Sequence, residues 1–148
     1  MNFAQESFSW KLVEEIKPLL VDHHEEVPGV NAPLDPDFLV YATCEKIGVL
    51  RIFTVRDDLK LVGYQIFMVS KHPHSKDSLQ ANQDILYLSP DSRKGLLGYR
   101  FIKWCASQLI NEGVKVVHQH ISAKNNFGRI LERIGFHLED LTYSMEVA

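Results

Sequence analysis

Hydrophobic residues recur at helical spacing in four segments of the chain, and apolar or alternating runs mark five strands. The spacing predicts helices at 8–24, 36–47, 101–110 and 127–134. Runs rich in β-branched and aromatic residues predict strands at 49–55, 61–70, 84–89, 114–122 and 141–147. The first two of these strands form a predicted antiparallel hairpin. The order of elements favours an α+β fold with a mixed sheet, antiparallel first and parallel later.

Turn-forming residues set the boundaries of the first two helices. Asp35 can cap the second helix, Pro36 suits its first position, and Gly48 follows its last periodic residue. Pro18 lies inside the first helix, where proline lacks a donor and crowds the preceding turn. We therefore expect a kink there, or two short helices. Turn chemistry elsewhere predicts loops at 25–34 and 72–81.

The composition is that of a soluble globular protein. Of the 148 residues, 45% are hydrophobic and 24% charged, which argues against disorder, and the length predicts a single domain over 1–148. No apolar run approaches the ~18 residues of a membrane span, and the N-terminus lacks the regions of a signal peptide. We therefore expect a cytoplasmic protein in which Cys44 and Cys105 are reduced, buried thiols. The net charge of −3 disfavours nucleic acid as a partner.

A turn between a strand and a helix carries the strongest chemical signal. The strand 85–88 leads into a segment that contains Arg93, Lys94, Gly95 and Gly98, and an amphipathic helix follows at once. Glycines let a ligand approach the backbone, and the first free N–H groups of a helix bind anions. The segment therefore predicts an anion cradle, although an ordinary turn with incidental glycines would look similar. The patterns of a P-loop and of a dinucleotide-binding fold are absent.

The same segment resembles the acetyl-CoA signature of the GNAT superfamily, Gln/Arg-x-x-Gly-x-Gly/Ala. If Arg93 and Gly98 fill its ends, Leu96 occupies the interior glycine position and Gly95 lies one place early. The resemblance continues through the helix and Gly-Phe ending at 125–136 and the strand at 142–145. The layout of nearly the whole chain is most similar to GNAT proteins encoded by bacteriophages.

This resemblance implies a GNAT fold, in which helices flank a mixed central sheet and a parallel pair of strands surrounds the acetyl-CoA site. It implies acetyl-CoA as a cosubstrate, no metal, and transfer of the acetyl group to a primary amine on a small molecule or a protein. A catalytically degenerate protein that docks on a host protein is the alternative. The expected cofactor-binding residues are Leu86, Tyr87, Leu88, Arg93, Lys94, Gly95, Leu96, Leu97, Gly98, Tyr99, Asn125, Asn126 and Phe127.

Acetyl transfer requires a neutral amine, whereas a free lysine amine has a pKa near 10.4. Members of the superfamily often place a carboxylate on the strand before the turn, which makes Asp84 the expected general base. Burial of a carboxyl group favours proton uptake and suits this task. The usual tyrosine acid of the later helix is replaced by Leu131. Tyr143 or Tyr99 could act instead, or the thiolate could leave unassisted because a thiol pKa is only about 8.5.

The remaining polar residues leave several interpretations open. The pairs His72 with His74 and His118 with His120 could relay protons, could meet as a metal site, or could be ordinary surface residues. The acidic residues of the first helix would suit a cationic acceptor, or they could form a solvated face: Glu14, Glu15, Glu25 and Glu26. The oligomeric state is expected to be a monomer or a homodimer.

Overall fold

The computed structural model describes residues 1–27 and 32–147. Its elements are, in chain order, β1 (Asn2–Glu6), α1 (Trp10–Glu26), α2 (Phe38–Lys46), β2 (Leu50–Asp57), β3 (Lys60–His72), β4 (Ser75–Leu88), a 3-10 turn (Pro90–Ser92), α3 (Leu97–Asn111), β5 (Val116–His118) and α4 (Gly128–Ile134).

The strands form one five-stranded sheet in the order β1-β2-β3-β4-β5. The first three pairings are antiparallel, and β4 and β5 are parallel. This confirms the predicted fold class, a mixed sheet whose antiparallel N-terminal half precedes one parallel pair. The predicted hairpin is also confirmed, as β2 and β3.

Apolar side chains cover both faces of the sheet. One buried cluster joins the sheet to α3 and includes Phe53, Phe67 and Phe101. The other joins the sheet to α1 and includes Leu12 and Tyr64. Successive residues of a strand point to opposite faces, so an apolar run such as that of β2 serves both clusters. This explains why the central strands are continuous apolar runs rather than alternating ones.

The ends of the first two helices differ from the prediction. Helix α1 begins after Ser9, whose Oγ accepts a hydrogen bond of 3.1 Å from Leu12 N, and it continues through Pro18. Two short helices were therefore the wrong expectation, because the buried face of α1 holds both halves against the sheet. Helix α2 is capped by Asp37 rather than Asp35. Of the loop predicted at 25–34, residues 28–31 lie outside the described residues.

One strand and the first part of another were not predicted from the sequence. The loop predicted at 72–81 is wrong, since β4 begins at Ser75 and pairs with β3 as a long hairpin. The outer half of that hairpin is exposed and polar, so it lacks the apolar signal of a strand. Strand β1 was also missed; it pairs with β2, and its Phe3 packs on Phe101 with ring centroids 5.3 Å apart.

The C-terminal part of the chain contains less strand than predicted. Strand β5 has only 3 residues, against the expected 114–122. The strand predicted at 141–147 is wrong: this segment forms no helix or strand, and its alternate apolar residues are exposed, namely Leu141, Tyr143, Met145 and Val147. Alternation alone does not make a strand, because a strand also needs a neighbour to accept its backbone hydrogen bonds.

An ion-pair cluster joins β1, α1 and β2. The Arg56 guanidinium donates two hydrogen bonds to Glu15, of 2.7 and 2.9 Å, and two of 3.1 Å to Glu6. These bonds raise the pKa of Arg56, and the hydrogen bond from Arg56 lowers the pKa of Glu15. The cluster fixes α1 across one edge of the sheet.

Gly63 allows β3 and β4 to approach closely near the end of β4, at Tyr87 and Leu88. A Cβ at residue 63 would overlap Leu88 Cδ2 and would lie 2.8 Å from the carbonyl oxygen of Tyr87. We expect Gly63→Ala to lower the free energy of unfolding by about 1–3 kcal/mol because the strands must separate. This corresponds to a fall of about 2–4 °C in Tm per kcal/mol, measurable by thermal unfolding.

Gly98→Ala is the matched control. Its Cβ would lie 3.7 Å from Leu88 Cδ1, an ordinary contact, and alanine favours a helix more than glycine does. Its Tm should equal or exceed that of the wild type. A Gly63→Ala protein as stable as the Gly98→Ala protein would contradict the close approach of the two strands.

Candidate active site

Strands β4 and β5 separate after three paired positions. Their pairing covers Gln80 to Asn82 of β4. The register between β3 and β4 then skips Asp84, since Ile66 pairs with Ile85 and Phe67 pairs with Gln83. Asp84 is therefore the extra residue of a β-bulge, which bends a strand and ends regular pairing.

Side-chain amides replace the backbone ladder beyond this point. Gln83 Oε1 accepts a hydrogen bond of 2.6 Å from His120 N, and Gln65 Nε2 donates one of 2.9 Å to Gln119 Oε1. Gln65 is fully buried, yet Gln65 Oε1 and Gln119 Nε2 have no hydrogen-bond partner among the described residues. A buried acceptor and a buried donor are thus left unpaired where the strands separate, which is costly unless a ligand pairs with them.

The turn before α3 presents free backbone donors. Gly95 has a φ of +64°, a conformation suited to glycine. In the described part of the chain, the amides from Lys94 to Tyr99 donate no hydrogen bond, and the first to do so is that of Arg100, to the carbonyl of Leu96 at 2.9 Å. No side chain caps α3. These amides and the positive end of the helix dipole can bind an anion.

The side chain of Arg93 is bound elsewhere. Its Nε donates a 2.7 Å hydrogen bond to the carbonyl of Leu88, and its Nη2 donates one of 2.6 Å to Glu26 Oε2 in α1. The guanidinium also lies over the Tyr87 ring, 5.3 Å from the centroid. In this structure Arg93 connects α1 to the end of β4, whereas Lys94 beside it is exposed.

The segment before α4 leaves the sheet at the same edge as the turn before α3. Asn126 Oδ1 accepts a hydrogen bond of 2.7 Å from Gly128 N, and Phe127 precedes the helix. Because β4 and β5 are parallel, the segments that follow them begin at the same edge of the sheet. The predicted residues Asn125, Asn126 and Phe127 therefore share that edge with the amides before α3.

The predicted base, Asp84, is exposed, so the burial expected for it is wrong. Its Oδ2 instead accepts a hydrogen bond of 2.5 Å from the Tyr41 hydroxyl. Burial, and then the hydrogen bond to Asp84, raise the pKa of Tyr41. The phenol therefore stays protonated and donates to the carboxylate. The sequence analysis assigned no role to Tyr41.

The candidate general acids lie in different surroundings. The Tyr143 side chain is 91% exposed and lies in the segment without helix or strand. Leu131, which stands at the usual tyrosine position, is buried at 7% exposure. Tyr99 lies in the first turn of α3, with Lys103 Nζ 5.6 Å from its ring centroid. Of the candidate acids, Tyr99 is the one that lies next to the free amides at the start of α3.

The two predicted histidine pairs do not meet. His72 pairs with Ser75 at the tip of the β3–β4 hairpin, and His118 pairs with Asn82. Those β4 residues are separated by roughly 20 Å along the strand. Among residues 1–27 and 32–147, no group of three or more His, Cys, Asp or Glu side chains could hold a metal ion.

Most of the acidic residues of α1 are already paired with cations. Glu14 binds Lys17 at 2.6 Å, Glu15 binds Arg56 at 2.7 Å, and Glu26 binds Arg93 at 2.6 Å. Asp22 and Glu25 form no ion pair with a described residue, so they alone leave the cationic-acceptor interpretation open.

Sequence comparison finds no match with any family model and no match with a curated protein. Comparison with solved structures finds many. A ribosomal-protein-alanine N-acetyltransferase from Brucella melitensis biovar Abortus 2308 is 18% identical with a TM-score of 0.73, over 99% of this chain and 100% of that one. The glucosamine-6-phosphate N-acetyltransferase of Arabidopsis thaliana is 14% identical with a TM-score of 0.73, over 100% of both chains.

An aminoglycoside N-acetyltransferase solved in complex with CoA is 12% identical, with a TM-score of 0.69 over 99% of this chain and 100% of that chain. At these identities the likeness shows the fold alone, and it is the GNAT fold, with the parallel β4–β5 pair in place.

Among the described residues, no helix combines the length and the apolar character needed to cross a bilayer.

His23 of α1 lies on Tyr87, with ring centroids 5.2 Å apart. Burial lowers the pKa of His23, and the nearby Arg93 acts in the same direction, while Glu26 opposes them. The unfolded chain therefore binds this proton more readily than the folded chain. The stabilising contribution is complete above the ordinary pKa of about 6.5 and is lost as pH falls below it.

We expect an NMR titration of the His23 imidazole to give a pKa below 6.5 in the folded protein, with the urea-unfolded protein as its reference. In urea unfolding at pH 7.5 and 5.0, His23→Phe should lose less stability than the wild type between the two pH values. A folded His23 that titrates at or above the value in urea would contradict the burial effect.

Proposed function

We propose that this protein is an acetyl-CoA-dependent N-acetyltransferase that acetylates a primary amine. The observation that carries the proposal is the set of free backbone amides from Lys94 to Tyr99, which follow the part of β4 that is not paired with β5. A diphosphate needs several convergent donors, because one exposed helix-terminus interaction contributes only about 0.3–1 kcal/mol.

The structural neighbours support the same activity by analogy of fold. They include N-acetyltransferases named for ribosomal-protein alanine, glucosamine 6-phosphate and aminoglycosides, the last solved with CoA. One fold can host many functions, so the geometry of this chain's own site must carry the rest of the argument.

The diphosphate and the pantetheine arm of acetyl-CoA have matching groups in this chain. The amides from Lys94 to Tyr99 would bind the diphosphate. The β4 backbone at Leu86, Tyr87 and Leu88, freed from β5, would pair with the pantetheine arm. The unpaired Gln65 Oε1 and Gln119 Nε2 would suit its amide groups. Asn125, Asn126 and Phe127 would border the cofactor from the side of α4.

When bound, acetyl-CoA would supply a thioester carbonyl: a nitrogen–carbon bond forms, the carbon–sulfur bond breaks, and the second proton that the nitrogen loses balances the one that the thiolate takes up. The carboxylate of Asp84 accepts the proton that the ammonium must lose, and the hydrogen bond from Tyr41 holds the carboxylate in place. Tyr99 or Tyr143 returns a proton to the thiolate, or the thiolate leaves unassisted.

One observation favours a second candidate, a protein of the same shape that docks on another protein without turnover. Leu131 is buried at the position where the superfamily often has its acid, and Tyr143 is exposed. The two candidates differ in turnover, which the release of free thiol from acetyl-CoA and a panel of amines measures directly.

Binding of acetyl-CoA tests the cradle. We expect calorimetry to show binding by the wild type, and Gly98→Asp to weaken it at least tenfold, because the new carboxylate would lie among the amides and repel the diphosphate. The same carboxylate lies in the first turn of α3, where a negative charge stabilises a helix, so Tm should not fall.

Ser107→Asp is the matched control, since it adds the same charge to α3 in a later turn, on an exposed residue. It should bind acetyl-CoA as the wild type does. Wild-type protein that shows no binding at millimolar acetyl-CoA would refute the proposal, and unchanged affinity in Gly98→Asp would refute the cradle.

Substitution of the base tests the assignment of Asp84. We expect Asp84→Asn to reduce kcat/KM by roughly 10²–10⁴-fold, the usual contribution of general base catalysis, while acetyl-CoA affinity stays unchanged. Asp77→Asn makes the same change on the exposed outer part of β4 and should keep wild-type activity. A fully active Asp84→Asn protein would assign the base to another group.

A further inference from the structure

A cavity of about 230 Å³ lies between α1, α2 and the sheet. Its walls are aliphatic side chains of α1 and of three strands, among them Leu12, Ile16, Leu20, Ile52, Ile66 and Ile85. None of the described residues that line it is charged. Ser9 and Leu34 line it too and are exposed, so the cavity reaches the surface.

The size of the cavity sets the size of its occupant. An apolar cavity of roughly 150 Å³ in another protein holds benzene, which has six heavy atoms. By the same ratio, this cavity has room for a body of about nine heavy atoms. An apolar body would release the water that aliphatic walls cannot bind.

One corner of the cavity is polar. Tyr64 is fully buried, lines the cavity, and its hydroxyl has no hydrogen-bond partner among the described residues. Tyr41 lines the cavity as well and donates to Asp84, the residue directly before Ile85. Burial raises the pKa of Tyr64, and the charges of Tyr41 and Asp84 act in the same direction, so the free hydroxyl is protonated.

An ammonium group fits this corner. It can donate a hydrogen bond to the Tyr64 oxygen, and the carboxylate of Asp84, which is hydrogen-bonded to the lining residue Tyr41, would balance its charge. Asp84 lies in the bulge where β4 leaves β5, so an amine bound there would face the strand edge assigned to the thioester.

The geometry points to a primary amine with a compact, uncharged, apolar body of about nine heavy atoms, such as an arylalkylamine, as the acceptor. This inference rests on the proposed function and adds the substrate class to it. Polyhydroxylated amines do not match the walls, because each hydroxyl buried without a partner lowers affinity by roughly tenfold.

The test is an NMR titration of ¹⁵N-labelled full-length protein, without acetyl-CoA, using three probes. We expect 2-phenylethylamine to bind at least tenfold more tightly than glucosamine, because only its body suits the walls. We also expect it to bind more tightly than 2-phenylethanol, which lacks the ammonium group. The shifts should involve Tyr41, Tyr64 and Ile85.

Two variants separate a binding role from a structural one. Leu20→Trp should fill part of the cavity and weaken 2-phenylethylamine at least tenfold. Leu19→Trp is its control, since the half-buried Leu19 packs on the same cluster but does not line the cavity. Tyr64→Phe removes a hydroxyl that has no partner in the described chain, so it should leave Tm equal or higher while weakening the amine about tenfold.

Separate titration with acetyl-CoA distinguishes the two levels of the proposal. Protein that binds acetyl-CoA but binds glucosamine as tightly as 2-phenylethylamine, or binds neither amine, overturns the substrate class and leaves the proposed function standing. Protein that binds 2-phenylethylamine but not acetyl-CoA overturns the proposed function. Unchanged amine affinity in Leu20→Trp, or a large fall of Tm in Tyr64→Phe, would also overturn the cavity assignment.

Discussion

The separation of β4 from β5 is the constraint on which the candidate site depends. A parallel pair that continued to Leu88 would use the β4 backbone for its own ladder and would leave no edge for a ligand. The extra residue Asp84 and the Gln83 side chain bound to His120 end the pairing after three positions. The same bulge shifts the alternation of β4, so that Ile85 and Tyr87 face α1. One irregularity therefore produces the open strand edge and also places the expected base beside the apolar cavity.

Ion pairs hold α1 in place beside the candidate site. Arg56 ties the helix to β1 and β2 through Glu15, and Arg93 ties its last turn to the end of β4 through Glu26. In these contacts the protein itself pairs charges that the sequence analysis had assigned to the binding of a cofactor or an acceptor. The proposed anion cradle then relies on backbone amides rather than on Arg93, and the proposed acceptor pocket is apolar rather than acidic. Arg93 is better described as a residue that positions the helix than as a free cation of the cradle.

The sequence predicted correctly those elements that a short run of neighbouring residues specifies. The apolar runs of β2 and β3, the glycines before α3 and the amphipathic face of α3 all agree with the structure. The errors fall where pairing decides the outcome. The outer half of β4 is polar yet pairs with β3, whereas the residues from Leu141 to Val147 alternate yet find no partner strand. The proline in α1 likewise suggested a break, which burial of the helix on the sheet overrides.

The sequence by itself determined the class of fold and the segment in which the cradle is proposed, because glycines, a helix start and a buried strand are properties of neighbouring residues. Only the tertiary structure decided which groups meet in the site. Tyr41 and Asp84 are 43 positions apart and share a hydrogen bond, and Gln65 and Gln119 are 54 apart. Such partners come together through the order of strands and the packing of α1 and α2, for which a single sequence has no local signal.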